Sequence, residues 1–138
     1  MGIAIASALL DEILAHAASE PDREVCGLLF GDGSAITSAR PAPNIAADPA
    51  RTFEIDPALL IAAHKAARSG GPRLIGHYHS HPNGRLLPSL RDADAAEPGM
   101  IWLIVADGAA ALFRAERGGG IEGMFCRIAL DVRPSPLA

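Results

Sequence analysis

MIWLIVADGAAALFRAERGGGIEGMFCRIAL, Met100 to Leu130, decides how this chain folds. Three apolar runs follow one another: Met100 to Ala106, Ala109 to Glu116 and Ile121 to Leu130. Only Asp107-Gly108 and Arg117-Gly118-Gly119-Gly120 separate them. Such short, glycine-bearing intervals are hairpin signals, and they leave no room for the dozen or more residues a parallel crossover needs. Three successive strands are therefore expected here.

Upstream, strands alternate with helices. Ser7 to Ala18 carries Leu9, Leu10, Ile13, Leu14 and Ala17 at helical spacing, with Ser7 as a candidate cap and Pro21-Asp22 as the stop. Glu24 to Gly31 reads as a buried strand, with Ala35 to Arg40 as its hairpin partner. Pro41 to Ala50 reads as loop and Arg51 to Ile55 as a short strand. Asp56-Pro57 opens a helix to about Ser69, because aspartate caps and proline suits the first helical position. Arg73 to His79 reads as a strand, Pro82 to Pro88 as loop and Ser89 to Ala96 as a helix. The sum is an α/β sandwich: a single domain over 1–132, a mixed central sheet and flanking helices. Residues 133–138 contain two prolines and are expected to fray.

The chain of 138 residues is 49% hydrophobic but only 4% aromatic, so its core must be built from aliphatic side chains. A net charge of −4 argues against electrostatic capture of nucleic acid. Cys26 and Cys126 form no Cys-x-x-Cys pair, which excludes a thiolate zinc knuckle. The N-terminal segment has no basic region and is broken by Asp11 and Glu12, so neither a signal peptide nor a membrane span is expected. A cytoplasmic, reducing location with both thiols free is the simplest reading.

The chemistry centres on HSHPNGRLLPSLRD, His79 to Asp92. In a strand, residues i and i+2 share a face, so His79 and His81 can converge on one ion while Ser80 faces away. Asp92 follows eleven positions later and can be folded back over them. Two imidazoles and a carboxylate leave a fourth position open on zinc, as in catalytic sites. Against this, an isolated His-x-His is commonly a surface coincidence, and Ser89-x-x-Asp92 also fits a capping box that merely starts a helix.

Taken with Glu24 in EVCGLLFG, the run resembles the JAMM (Mov34/MPN/PAD-1) metallopeptidases, whose pattern is a glutamate, then His-Ser/Thr-His-Pro, then Ser-x-x-Asp. The resemblance also takes in NIAADPARTFEIDP, Asn44 to Pro57, and is strongest to short bacterial members. It implies that His79, His81 and Asp92 ligate Zn²⁺, that Glu24 is the general acid/base, and that the Ser89 hydroxyl stands beside the water and the developing oxyanion. It implies a cytidine-deaminase-like sandwich, although the deaminase signature of His-x-Glu with Pro-Cys-x-x-Cys is absent. The implied activity is hydrolysis of a peptide or isopeptide bond at a protein C-terminus. The implied partner is a protein with an extended tail, of the ubiquitin-like or sulfur-carrier kind. The alternatives are a non-catalytic metal-binding interaction module and a metal-dependent hydrolase of a small molecule.

His77 departs from the tryptophan common in this family at that place. Alternation puts it on the face of His79 and His81, as a packed imidazole or as a relay to the site. Cys26 is expected to be an inert packed thiol, Cys126 and Trp102 core residues, and His16 and His64 ordinary helix residues.

Overall fold

A computed structural model describes residues 2–135. Its elements run β1 (Ile3–Ala6), α1 (Ser7–Ser19), β2 (Cys26–Gly31), β3 (Ala35–Ala42), α2 (Pro57–Arg68), β4 (Leu74–Ser80), α3 (Leu90–Ala95), β5 (Ile101–Ala106), β6 (Ala109–Gly119), β7 (Gly123–Ile128) and β8 (Leu130–Arg133). All eight strands form one mixed sheet in the order β7-β6-β5-β4-β2-β3-β1-β8. β5, β6 and β7 are antiparallel neighbours, as the hairpin turns require. β4 lies between antiparallel β2 and parallel β5, and the β4–β5 crossover carries α3. The expected mixed sheet with flanking helices is present.

Two layers cover the sheet. α1 lays Leu9, Leu10, Leu14 and Ala17 over Ile3, Ile5, Leu29, Tyr78 and Leu103 on one face. On the other face α2 covers Leu28, Phe30 and Leu74, while Ala93 of α3 and Ala96 just after it pack near Trp102, Ile104 and Phe125. β5 is buried at all six positions, which explains its unbroken apolar run: both of its faces meet a layer. No helix among the described residues is long and apolar enough to cross a membrane.

Several expectations are corrected. Arg51 to Ile55 is not a strand. Its backbone is spent locally: Glu54 N–H donates to Asn44 Oδ1 (3.1 Å), Thr52 N–H to the Asp48 carbonyl (3.1 Å), and the Thr52 carbonyl accepts from Asn44 Nδ2 (3.0 Å). No ladder partner is left. β3 extends through Pro41-Ala42, two residues into the stretch read as loop. β1 was not anticipated, and its pairing explains why: it bonds to β3 and, in parallel, to β8 at the far end of the chain. Four residues running straight into a helix give no local alternation long enough to read.

Ser7 does not cap α1, which has no side-chain cap. Instead Ser135 Oγ accepts from Ala8 N–H at 2.8 Å, and Ser135 N–H donates to Ser7 Oγ at 3.2 Å. The C-terminal segment thus supplies what the local sequence lacks. Arg133 closes β8, and of the stretch expected to fray, residues 136–138 lie outside the described residues. Cys126 is half-buried rather than core, because β7 is an edge strand whose alternation turns Phe125 inward.

Two glycines let the central strands approach. A Cβ at Gly76 would stand 2.0 Å from the Ile101 carbonyl oxygen, and one at Gly27 would stand 2.2 Å from the Tyr78 ring. Backbone cannot yield as a side chain can, so Gly76→Ala is expected to cost about 3 kcal/mol or more, at or beyond the upper end of ordinary overpacking. Gly33→Ala, with nothing within 4 Å, is expected to stay within about 0.5 kcal/mol of the parent. Urea unfolding midpoints of the two variants check this.

Candidate metal centre

Among the described residues the buried polar or charged side chains are Glu24, His79, Ser80, His81 and Asp92. Burying such groups is unfavourable unless they are bonded or paired. All five gather where β2 begins and β4 ends.

β4 places the histidines. His79 is opposite Cys26 of β2 and Ile104 of β5, so it is held from both sides and is fully buried. Ser80 faces away, as alternation demands, and its Oγ accepts from Val25 N–H at 2.9 Å. His81 lies just past the strand, with its N–H still bonded to the Val105 carbonyl at 3.0 Å. A turn over Pro82-Asn83-Gly84 follows. Gly84 takes φ +81°, its N–H donates to the His81 carbonyl, and Asn83 Oδ1 accepts from Arg85 N–H at 2.9 Å. This turn brings the Arg85 carbonyl to 2.8 Å from His81 Nδ1. A carbonyl can only accept, so Nδ1 carries the proton and the neutral ring turns the Nε2 lone pair into the site.

α3 supplies the carboxylate. Ser89 caps it with a full capping box: Asp92 N–H donates to Ser89 Oγ at 3.1 Å, and Ser89 N–H donates to Asp92 Oδ2 at 2.9 Å. The same Oδ2 lies 3.4 Å from His79 Nε2 and 3.3 Å from His81 Nε2. The two Nε2 atoms are 3.0 Å apart. The capping and the converging arrangement weighed as rivals in the sequence are therefore one arrangement.

The nearly equilateral triangle fits a cation. Ligands about 2.0–2.1 Å from a tetrahedral zinc stand about 3.3 Å from one another. A Glu24 oxygen and one nitrogen each of His79 and His81 lie within 4.8 Å of one another, so these three can also be drawn as a metal set. Asp92 closes a triangle of 3.0–3.4 Å with the two imidazoles, and a Glu24 oxygen lies within 4.8 Å of both rings. Glu24 Oε1 is buried without a hydrogen-bond partner, a free acceptor on a carboxyl that borders the site.

The electrostatics agree. Burial pushes the Glu24 carboxyl up to about 7, the range in which a group can both take and return a proton near neutrality. Burial would also raise Asp92, but the two imidazoles and the Ser89 N–H hold it well below the usual carboxylate range. Burial lowers His79. For His81 burial is outweighed by Asp92, the Arg85 carbonyl and Glu24, and its pKa rises. The site is a sink for positive charge.

Above these groups a cleft of about 330 Å³ is lined by Glu24, Ala50, Arg51, His81, Pro82 and Asn83. Most of its wall is exposed side chain, so it opens to solvent.

Phe53 is the residue sequence reasoning missed. It stacks on the His79 ring with centroids 4.4 Å apart and planes 22° apart. Placed inside an expected strand, it gave no hint of this contact. His77 packs between Trp102 (4.3 Å) and Phe53 (5.1 Å), where burial lowers its pKa to about 3. It is a filler of the aromatic layer rather than a member of the triangle. His16 does more than an ordinary helix residue: its Nδ1 lies 2.6 Å from the Tyr78 hydroxyl. Cys26 is wholly buried, and burial pushes its thiol up to about 12.

Comparisons with known proteins point the same way. The family model described as prokaryotic homologs of the JAB domain matches residues 6–117. A desampylase of Haloferax volcanii is 39% identical over 109 residues, covering 74% of this chain and 78% of that one. A probable TtuB-protein conjugate cleaving protease of Thermus thermophilus is 39% identical over 88 residues, covering 64% and 59%. A JAB1/MPN domain protein of Archaeoglobus fulgidus superimposes with a TM-score of 0.64 at 20% identity, over 96% of this chain and 98% of that one, which establishes the fold. With the glutamate, the two histidines and the sheet that carries them all in place, this chain belongs to the prokaryotic JAB-domain family, the JAMM metallopeptidases.

Proposed function

We propose that this chain is a zinc-dependent hydrolase of a peptide or isopeptide bond at the C-terminus of a ubiquitin-like or sulfur-carrier protein. The observation that carries the reading is the buried triangle of His79 Nε2, His81 Nε2 and Asp92 Oδ2 with the Glu24 carboxyl beside the two imidazoles. The names of the Haloferax and Thermus relatives, a desampylase and a conjugate-cleaving protease, support the substrate class. The open cleft supports a polypeptide over a small molecule, which a sealed pocket would suit better. Exposed Leu87 and Leu90 flank Ser89 and add apolar surface for a protein partner. The two free thiols suit a reducing cytoplasm.

In this mechanism His79, His81 and Asp92 would hold the metal. When bound, zinc supplies Lewis acidity, bringing the pKa of water it holds to about 7 and polarising the scissile carbonyl. Glu24 takes the proton of the attacking water on its free Oε1 and returns it to the leaving amine. Its raised pKa suits both directions, and such transfer is worth roughly 10²–10⁴ in rate. Ser89 Oγ accepts from Asp92 N–H, so its own proton remains available to the oxygen that becomes negative as the carbonyl carbon turns tetrahedral. The cap bond from Ser89 N–H to Asp92 Oδ2 orients the ligand carboxylate, the kind of outer support that metal sites depend on.

Incubation with C-terminally extended ubiquitin-like carriers, read by mass, tests the reading. Cleavage by the zinc-loaded protein should stop with a chelator and return with zinc, whereas chelator-insensitive cleavage would defeat it. Glu24→Gln should keep one zinc per chain and lose about 10²–10⁴ in kcat. A parent-like rate in that variant removes Glu24 from the chemistry.

Cys26 is expected to take no part. At pH 9 a thiol whose pKa is about 12 is thiolate in only about one molecule in a thousand, against about half in the unfolded chain. In a Cys126→Ser background, iodoacetamide should alkylate Cys26 at least about 10²-fold more slowly when folded than in urea. Cys26→Ala should retain hydrolysis.

A further inference from the structure

Asn44 lies in the connection between β3 and α2 and is not among the residues assigned a chemical role above. Its side-chain amide has two N–H donations and two acceptor positions to offer, and all four are used. Nδ2 donates to the Glu24 carbonyl at 2.8 Å and to the Thr52 carbonyl at 3.0 Å. Oδ1 accepts from Ala46 N–H at 3.0 Å and Glu54 N–H at 3.1 Å. One side chain thus closes the loop 44–54 on itself and ties it to the backbone of Glu24.

The loop returns the hold from the other side. Glu24 N–H donates to the Pro49 carbonyl at 2.7 Å. Both peptide groups of Glu24 are therefore fixed by this loop, although Glu24 precedes β2 and has no ladder of its own. The same loop carries Phe53 onto the His79 ring and Arg51 and Ala50 into the cleft wall.

We infer that Asn44 is the positioning residue of this site: its amide sets the Glu24 carboxyl and Phe53 against the imidazoles of His79 and His81. It touches neither substrate nor metal and acts through Glu24. The inference rests on the reading of Glu24 as the proton carrier. A purely structural role would lower stability without changing kcat in the folded enzyme. A positioning role lowers kcat while leaving the metal ligands and substrate affinity alone, because small displacements of a reacting group are costly, on the order of 10²-fold for about 1 Å.

Asn44→Asp keeps the size and the acceptors but removes both donations. With cobalt(II) in place of zinc, its visible absorption and metal stoichiometry should match the parent, since His79, His81 and Asp92 stay in place. Hydrogen exchange of the Glu24 amide should speed up about tenfold or more. On a C-terminally extended carrier that the parent cleaves, kcat should fall by about 10–10²-fold with KM within about twofold. The double variant Asn44→Asp/Glu24→Gln should be no slower than Glu24→Gln alone, because both act through one group.

Parent-like kcat in Asn44→Asp with faster exchange at Glu24 overturns the inference, as does a changed cobalt spectrum or additive losses in the double variant. If Glu24→Gln alone keeps the parent rate, the proposed chemistry fails instead. Should Asn44→Asp not fold, exchange in the parent decides. A Glu24 amide protected like those of β2 supports the clamp, and one exchanging like open loop overturns it.

Discussion

Three buried ligand atoms, His79 Nε2, His81 Nε2 and Asp92 Oδ2, meet within 3.4 Å of one another, and the site depends on that meeting. Two imidazole lone pairs cannot satisfy each other, and a buried carboxylate unbalanced by positive charge is expensive. A shared cation resolves both at once. The fold gives up three buried positions to these groups, in β4, just past it and in α3, a cost that a fold built only for stability would avoid. That the buried polar side chains described here are all at this one place makes the arrangement a site rather than a scatter of tolerated exceptions.

The sheet order explains how the meeting is enforced. β4 is pinned between β2 and β5, so the end of β4 cannot drift. Its alternation sends His79 to the α2 and α3 side and Ser80 to the α1 side, where Ser80 Oγ accepts from Val25 N–H beside Glu24. The crossover from β4 to β5 must carry α3 back along the sheet, and this brings the first turn of α3 over His79 and His81. Asp92 then serves twice, as the closing member of a capping box and as the third corner of the triangle. The helix start and the site are coupled through this one carboxylate.

Much of this was legible in the sequence, for physical reasons. The β5–β7 meander follows from short glycine-bearing turns, and α2 from an aspartate cap before a proline that the structure keeps, with Asp56 Oδ1 accepting from Ala58 N–H at 2.9 Å. His79 and His81 were legible because strand geometry has a period of two, whereas the capping-box spacing of Ser89 and Asp92 showed only a helix start and the ligand role of Asp92 came through resemblance. Glu24 carried no local signal and was found only through resemblance. What stayed hidden depends on contacts distant in sequence. β1 pairs with β8 across the whole chain, Ser135 caps α1 from the opposite end, and Phe53 reaches His79 only because Asn44 folds its loop. An asparagine among prolines and aspartates looks like any turn residue until its four partners are in place.

We propose that Asp92, rather than Glu24, completes the metal corner, leaving Glu24 free to move a proton. Anomalous diffraction at the zinc edge from crystals of the zinc-loaded protein tests it most directly. One peak is expected about 2.0–2.1 Å from His79 Nε2, His81 Nε2 and Asp92 Oδ2, with the Glu24 carboxyl outside bonding distance. A peak ligated by Glu24 in place of Asp92, or no peak between the two histidines, would contradict it.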